Sequence, residues 1–344
     1  MPVFARSFPM MADLARWEDQ NPDNAVRSLF ARWAFSGVEA TSDAPLRLGV
    51  RDGYVNFYVK GQSVAKLSCG RDGPKLAVHQ AYVSGRRRSS PRDGAALEQN
   101  YVPFDAASLA DPATATLING WIETADSYAS AEKRFVDDLA STNPGIIDLE
   151  MGLPASDTPG SARVAPRMDI VIAQIVDGTP SIAFWEAKCA NNPELRSNKE
   201  YEIHEGGFSG PKVLNQLRKY VDWMAEVGRI EQVTKAYKTT AALLLEFHSL
   251  FGTDANSRLD CISIWKALAD ANDPLIVVQP GVVIGNYWPE GCDEQIARDR
   301  MRQASASFAK NGHREKLHRN GISVFEANAT GVLLPHLQMA RVTA

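Results

Sequence analysis

The stretch Met168–Lys188, MDIVIAQIVDGTPSIAFWEAK, decides the fold. Two strand-like runs, RMDIVIAQIV and SIAFWEAK, flank Asp177-Gly178-Thr179-Pro180. An Asp-Gly step between two such runs signals a β-hairpin. If Asp177-Gly178 forms a two-residue turn, Asp169 lies opposite Glu186. If the loop comprises Asp177 to Pro180, Asp169 lies opposite Lys188. Side chains alternate along a strand with period two, so either register puts Asp169, Glu186 and Lys188 on one face.

Facing residues on paired strands have Cβ atoms roughly 4.5–5.5 Å apart. Two carboxylates at that distance repel unless a cation lies between them. A hard divalent cation suits such oxygen donors and completes its shell with water and substrate phosphate. Mg²⁺, with Mn²⁺ as a substitute, is therefore the expected cofactor. Asp169 and Glu186 are its expected ligands, and the Ala187 carbonyl is a further candidate. The Lys188 ammonium would orient a water beside it.

Upstream, DSYASAEKRFVDDLAST carries Tyr128, Ala131, Phe135 and Leu139 at helical spacing. GIIDLEMG follows as a strand. Downstream, GPKVLNQLRKYVDWMAEVG reads as a helix with Val213, Leu217, Tyr220, Val221 and Met224 on one stripe. TAALLLEF (Thr240–Phe247) reads as a buried strand, SRLDCISIWKALAD as a helix and LIVVQP as another strand. The Cys189–Gly210 connection reads as a long mobile loop loosened by Gly206-Gly207, and long structureless connections are often functional.

Asp169 followed by Glu186-Ala187-Lys188 at the end of the next strand resembles the PD-(D/E)XK nuclease superfamily. The proline departs from that pattern, since Pro166 lies three residues before Asp169. The superfamily's α-β-β-β-α-β order matches the elements read over Ser127–Phe247. Its first helix often supplies another acid, and Glu132 is the matching position. Gln216 and Tyr220 form a Q-x-x-x-Y pattern similar to the RecB-like branch, and their spacing puts them on one helix face. The resemblance implies a mixed α/β fold with a restriction-endonuclease-like core and an N-terminal accessory domain of helices plus antiparallel strands. It implies hydrolysis of nucleic-acid phosphodiesters to 5′-phosphate and 3′-hydroxyl ends, in restriction, defence or repair. The implied catalytic set is Asp169, Glu186, Lys188, Glu132, Gln216 and Tyr220. The competing expectation is a non-catalytic nucleic-acid-binding or scaffold protein on the same fold.

Residues 1–124 read as the accessory domain, 125–290 as the core and 291–344 as a basic helical extension. In the first, an amphipathic helical run spans Asn24–Phe35. LRLGVR, YVNFYVK, SVAKLS and KLAVHQAYV then read as an antiparallel meander. This block suits either substrate recognition or dimerisation.

The 344 residues carry a net charge of −4, unevenly spread. Lys60–Arg92 holds a net +7 and Ala297–Arg319 a net +5, leaving −16 on the remainder. The two basic stretches are either a phosphate-facing surface or separate solvated faces. The candidate contacts are Arg86, Arg87, Arg88, Arg92, Lys212, Arg314 and Lys316, with DNA favoured over RNA. His313 and His318 sit in the second stretch, expected to face solvent or phosphate. A hydrophobic fraction of 44% and a charged fraction of 23% predict a full core. No apolar run reaches membrane-span length, and no secretion signal is visible. Four scattered cysteines without a C-x-x-C pair fit a reducing cytoplasm.

Overall fold

The computed structural model describes residues 3–84, 100–153, 167–196, 200–203, 206–209, 211–252, 259–272, 274–288 and 294–337. Helices α1 (Met11–Gln20) and α2 (Ala25–Phe30) lead into β1 (Arg47–Val50), β2 (Val55–Val59), β3 (Gln62–Gly70) and β4 (Gly73–His79). Helix α3 (Gln80–Ser84), strand β5 (Tyr101–Phe104) and helices α4 (Ala106–Ala110) and α5 (Pro112–Asp126) follow. The five strands form an antiparallel meander in sequence order. The β2–β3 turn is Lys60-Gly61, both at positive φ, the twist-matched geometry of a two-residue hairpin. Gln62 opens β3.

The second unit begins with α6 (Ala131–Thr142), β6 (Ile146–Gly152), β7 (Arg167–Val176) and β8 (Thr179–Cys189). A short hairpin, β9 (Glu200–Ile203) and β10 (Gly206–Ser209), precedes α7 (Lys212–Ala225), α8 (Arg229–Phe251) and α9 (Leu259–Asp270). Then come β11 (Leu275–Ile276), β12 (Gly281–Gly285), α10 (Glu294–Lys310), α11 (His313–Arg319) and β13 (Ser323–Ala327). The sheet runs β13-β12-β8-β7-β6, with β11 also on β8. Strand β7 is antiparallel to both neighbours, whereas β12 is parallel to β8 and β13 parallel to β12.

Five expectations need correction. The strand read at KLAVHQAYV ends at His79, and its last four residues belong to α3. Thr240–Phe247 is helical, inside α8. Its continuous apolar run cannot by itself separate helix from strand, and the missing signal lies upstream. Val233, Ala236, Tyr237, Thr240, Ala241, Leu244 and Phe247 are all buried at spacings of three and four. The strand LIVVQP shrinks to Leu275–Ile276, parallel to the first half of β8, and Gly281–Gly285 is a further parallel partner along its second half. The glycines of β12 make close packing possible: a Cβ on Gly281 would lie 2.5 Å from the Trp185 ring, and one on Gly285 3.1 Å from Phe135. The Cys189–Gly210 connection is not structureless, since it holds a 3₁₀ turn (Pro193–Leu195) and the β9–β10 hairpin, with Gly206-Gly207 inside β10. Finally, the segment expected as a helical extension contributes β13 to the sheet.

Helix α6 packs on β8, with Phe135 against Gly285. Through Phe184, β8 meets Tyr220 of α7 and Tyr237 of α8. One continuous apolar core runs through both units. Buried ion pairs also join them. Asp148 on β6 takes Arg6 at 3.0 Å and Arg51 at 2.5 Å, plus the Tyr237 hydroxyl at 3.2 Å. Arg47 reaches Asp137 of α6 at 3.1 Å. Such pairs need hydrogen bonds to offset desolvation, and Arg47 also donates to Phe35 O, Val38 O and Ser141 Oγ. Among the described residues, no helix is long and apolar enough to cross a membrane.

Candidate active site

Asp177 and Gly178 have φ of 50° and 79°, so the β7–β8 turn is the two-residue one. The ladder runs from Val176↔Thr179 to Ile170↔Trp185, a register that aligns Asp169 with Glu186. Past that last pair the strands part company. Arg167 and Met168 pair with β6, while Trp185 to Cys189 pair with β12. The backbone N–H of Ala187 thus faces the gap, where the Asp169 carboxylate accepts it at 2.9 Å. Asp169 and Glu186 stand on the two sides of this split.

Lys188 lies at the centre. Its ammonium contacts Glu186 and lies 3.4 Å from Glu132, 3.8 Å from Asp169 and 3.9 Å from Glu194. Glu132 comes from the first turn of α6, where Ser130 caps the helix by accepting from the Lys133 N–H. Asn192 donates to Glu132 at 2.6 Å and accepts from the Glu194 N–H at 2.9 Å. The Glu194 carboxylate also contacts Lys212, the first residue of α7.

Burial shapes the charges. Glu186 is fully buried, and among the described residues its Oε2 has no hydrogen-bond partner. Burial first, then the neighbouring Asp169 charge, pushes its pKa well above the carboxylate range despite Lys188. Asp169 is pushed up to about 6, again chiefly by burial, which Lys188 only partly offsets and which Glu150 reinforces. Burial alone would depress Lys188, but Glu186, Asp169 and Glu132 outweigh it and hold the ammonium charged. Burial pushes the Cys189 thiol up to about 12, so it is no ready thiolate.

The expected residues do not all converge here. Gln216 donates to the Arg167 carbonyl at 3.1 Å, tying α7 to the strand that carries Asp169. Tyr220 is fully buried against Phe184, its ring 5.1 Å away and its hydroxyl without a partner among the described residues. It is a core residue by its contacts. Ala187 enters the site through its N–H. Arg314 pairs with Glu326 at 3.0 Å, and Lys316 lies in the last turn of α11. His313 is buried, against expectation, because it packs beside Phe308; its pKa is lowered by burial and then by Lys316 and Arg196. Arg86, Arg87, Arg88 and Arg92 lie outside the described residues, as does Pro166. Asn192 and Glu194 were not anticipated. Asn192-Pro193 directly after the strand is a turn signal that could have drawn attention to both.

Among the described residues, no three of His, Cys, Asp or Glu form a ready-made ion cage. A Mg²⁺ site does not require one, since this ion commonly uses one or two carboxylates with water and phosphate. The unpartnered Glu186 Oε2, beside Asp169, fits such an ion. No known protein family, curated protein or solved structure matches the chain.

Proposed function

We propose that the chain is a metal-dependent nuclease. The observation that carries this reading is the convergence of Asp169, Glu186 and Glu132 on Lys188 where β7 and β8 separate. The order α6-β6-β7-β8-α7, closed by the parallel strand β12, supports it as the α-β-β-β-α-β arrangement expected of a restriction-endonuclease-like core.

Charge supports it too. Four carboxylates face Lys188 and one of them also holds Lys212, so an incoming phosphate meets an excess of negative groups. A divalent cation corrects that excess. Asp169 and Glu186 would hold Mg²⁺ or Mn²⁺, which supplies a Lewis acid that acidifies water and offsets charge developing on phosphate. Lys188 donates hydrogen bonds to the phosphate and balances its charge. Glu132, oriented by Asn192, accepts a proton-side hydrogen bond from the attacking water. The Ala187 N–H fixes Asp169, and Gln216 fixes the backbone leading to it.

A second reading has its own observation. The direct Lys188–Glu186 contact also suits a structural ion cluster in a non-catalytic nucleic-acid-binding protein. Incubating the protein with circular and linear, single- and double-stranded DNA and RNA, with Mg²⁺ or Mn²⁺ or with chelator, separates the two. Metal-dependent cleavage supports the nuclease, and cut circles define it as an endonuclease. Binding that is equal with metal and with chelator, without cleavage, supports the second reading.

A further inference from the structure

The five-stranded sheet of the first unit has a covered face and a partly exposed one. Leu67, Cys69, Leu76 and Val78 are buried, and α1, α4 and α5 pack on the strands that carry them. Side chains alternate along a strand, so Lys66, Ser68, Lys75, Ala77 and His79 lie on the opposite face, and each is exposed or half-buried. Tyr101 of β5 pairs with His79 and joins them there. Antiparallel sheets commonly keep one such face for solvent or a partner.

Aromatic rings run along this face. The His79 ring lies 5.6 Å from Tyr101 at 86° and 5.2 Å from Tyr82 at 47°. Tyr82 continues to Tyr128 at 6.0 Å and 37°. None of the three contacts is stacked, so no ring face is taken up by a neighbouring ring. The Lys66 ammonium lies 3.9 Å from the centre of the Tyr101 ring and 5.8 Å from that of Tyr54. It forms no ion pair among the described residues. Burial and then the Lys66 charge lower the pKa of His79, which keeps its ring neutral at neutral pH. The row of rings ends beside the candidate site. Gln62 donates to the Tyr128 carbonyl at 2.8 Å and Lys133 to the Gly61 carbonyl at 2.7 Å, and Lys133 shares the first turn of α6 with Glu132.

We propose that this face is a stacking platform for single-stranded DNA, with Tyr101, His79 and Tyr82 receiving bases and Lys66 a backbone phosphate. This rests on the nuclease reading above and names its substrate class. Aromatic rings stack on any base whose face is open, and only an unpaired strand can splay its bases out. Lys66 supplies charge complementary to the backbone and belongs to the stretch Lys60–Arg92 with its net +7. A second copy docked through the same patch would bring two unpaired ammonium groups into one two-fold interface, a like-charge cost that a strand of phosphates does not meet. His79 Nδ1 already accepts the Ala81 N–H and Asn56 Oδ1 the Ser63 hydroxyl. Those two acceptors are therefore engaged and do not select a ribose 2′-hydroxyl, the group by which a protein tells RNA from DNA.

The test is equilibrium binding of a labelled DNA single strand, of the same sequence as duplex and of the same sequence as RNA, over a range of salt and in chelator so that no cleavage intervenes. The full chain is used as wild type, Tyr101→Ala, Tyr101→Phe and Lys66→Gln, and melting curves check that each folds. Wild type is expected to bind single-stranded DNA more tightly than the duplex, and RNA no more tightly than DNA. Tyr101→Ala is expected to weaken binding about 5- to 150-fold, the range for one lost base–aromatic stack, whereas Tyr101→Phe keeps the ring and binds as wild type. Lys66→Gln is expected to weaken binding and to flatten its logarithmic salt slope by about 0.7, one phosphate contact on a single strand; this variant decides the matter if Tyr101→Ala fails to fold. Unchanged binding by Tyr101→Ala or Lys66→Gln overturns the proposal, as does preference for duplex or RNA, or a wild type that binds no strand. Light scattering on the same samples adds one more outcome: a dimer that Tyr101→Ala converts to monomer assigns the face to a second copy and overturns the platform. The expected binding pattern without Mg²⁺-dependent cleavage leaves the platform standing and counts against the nuclease reading. Mg²⁺-dependent cleavage with unchanged binding by Tyr101→Ala does the reverse.

Discussion

Asp169 Oδ2 accepts the backbone N–H of Ala187 at 2.9 Å, across the point where β7 leaves β8. The acid is thereby fixed by the residue that separates Glu186 from Lys188. Such a bond favours the ionised carboxylate, yet burial keeps the Asp169 pKa raised, near 6 against an ordinary 3.8.

That imbalance predicts how stability follows pH. Between those two values the folded chain retains a proton that the unfolded chain has lost. Stability of the metal-free protein therefore falls as pH rises through this window, and Glu186, also raised, acts in the same direction. Metal binding requires the ionised acids, so the rise in Tm on adding Mg²⁺ is expected to be larger at about pH 7.5 than at about pH 5. Asp169→Asn should flatten the fall in Tm. An equal Mg²⁺ effect at both pH values would contradict the assigned ligands.

Lys188 is buried, so its removal affects more than the reaction. Lys188→Ala leaves buried carboxylates without their cation, and loss of one partner from such a cluster costs about 3–5 kcal/mol. A lower Tm at neutral pH is expected, with a smaller deficit in acid where the carboxyls take protons. Cleavage should fall at least about 100-fold, the usual cost of losing one donor to the charged transition state. Melting curves across pH beside a cleavage assay check both.

Asn192 orients Glu132 and also caps the 3₁₀ turn, and the two roles can be separated. Asn192→Asp keeps the cap acceptor but cannot donate to Glu132, whereas Asn192→Ala loses both. Both variants are expected to lose about 10- to 100-fold in cleavage, as orienting partners of site residues do. Only the alanine variant should lose the cap's contribution, about 0.5–2 kcal/mol. Normal cleavage by Asn192→Asp would show that the contact positions nothing.

The buried Tyr220 hydroxyl has no partner among the described residues, and burial pushes its pKa well up. Tyr220→Phe removes a desolvated polar group and keeps the ring on Phe184. Tm should hold or rise, by the equivalent of up to about 1 kcal/mol. A drop of several degrees would reveal a partner for the hydroxyl.

The hairpin was legible because its rules are local: either loop that Asp177–Pro180 allows has the same parity, which puts Asp169, Glu186 and Lys188 on one face. Glu132 was reachable through the helix that precedes the first strand of the core. The parting of β7 from β8 was not, because no local rule sets where their ladder ends, and the partner that accompanies the end of β8 on its other edge, β12, lies almost a hundred residues away in sequence. Glu194 escaped for a related reason, since its meaning comes from Lys212 and Lys188, which only tertiary packing brings to it. Thr240–Phe247 was misread because a short apolar run carries no period, while the full span of α8 does.

The most direct measurement compares wild type with Glu186→Gln on labelled single- and double-stranded DNA and RNA, in Mg²⁺, in Mn²⁺ and in chelator. The substitution is nearly isosteric and removes the one fully buried carboxylate beside Lys188. Wild type is expected to cut at least one substrate with either metal and none in chelator, and Glu186→Gln to cut none while remaining folded. Cleavage by wild type in chelator, or undiminished cleavage by Glu186→Gln, would contradict the account.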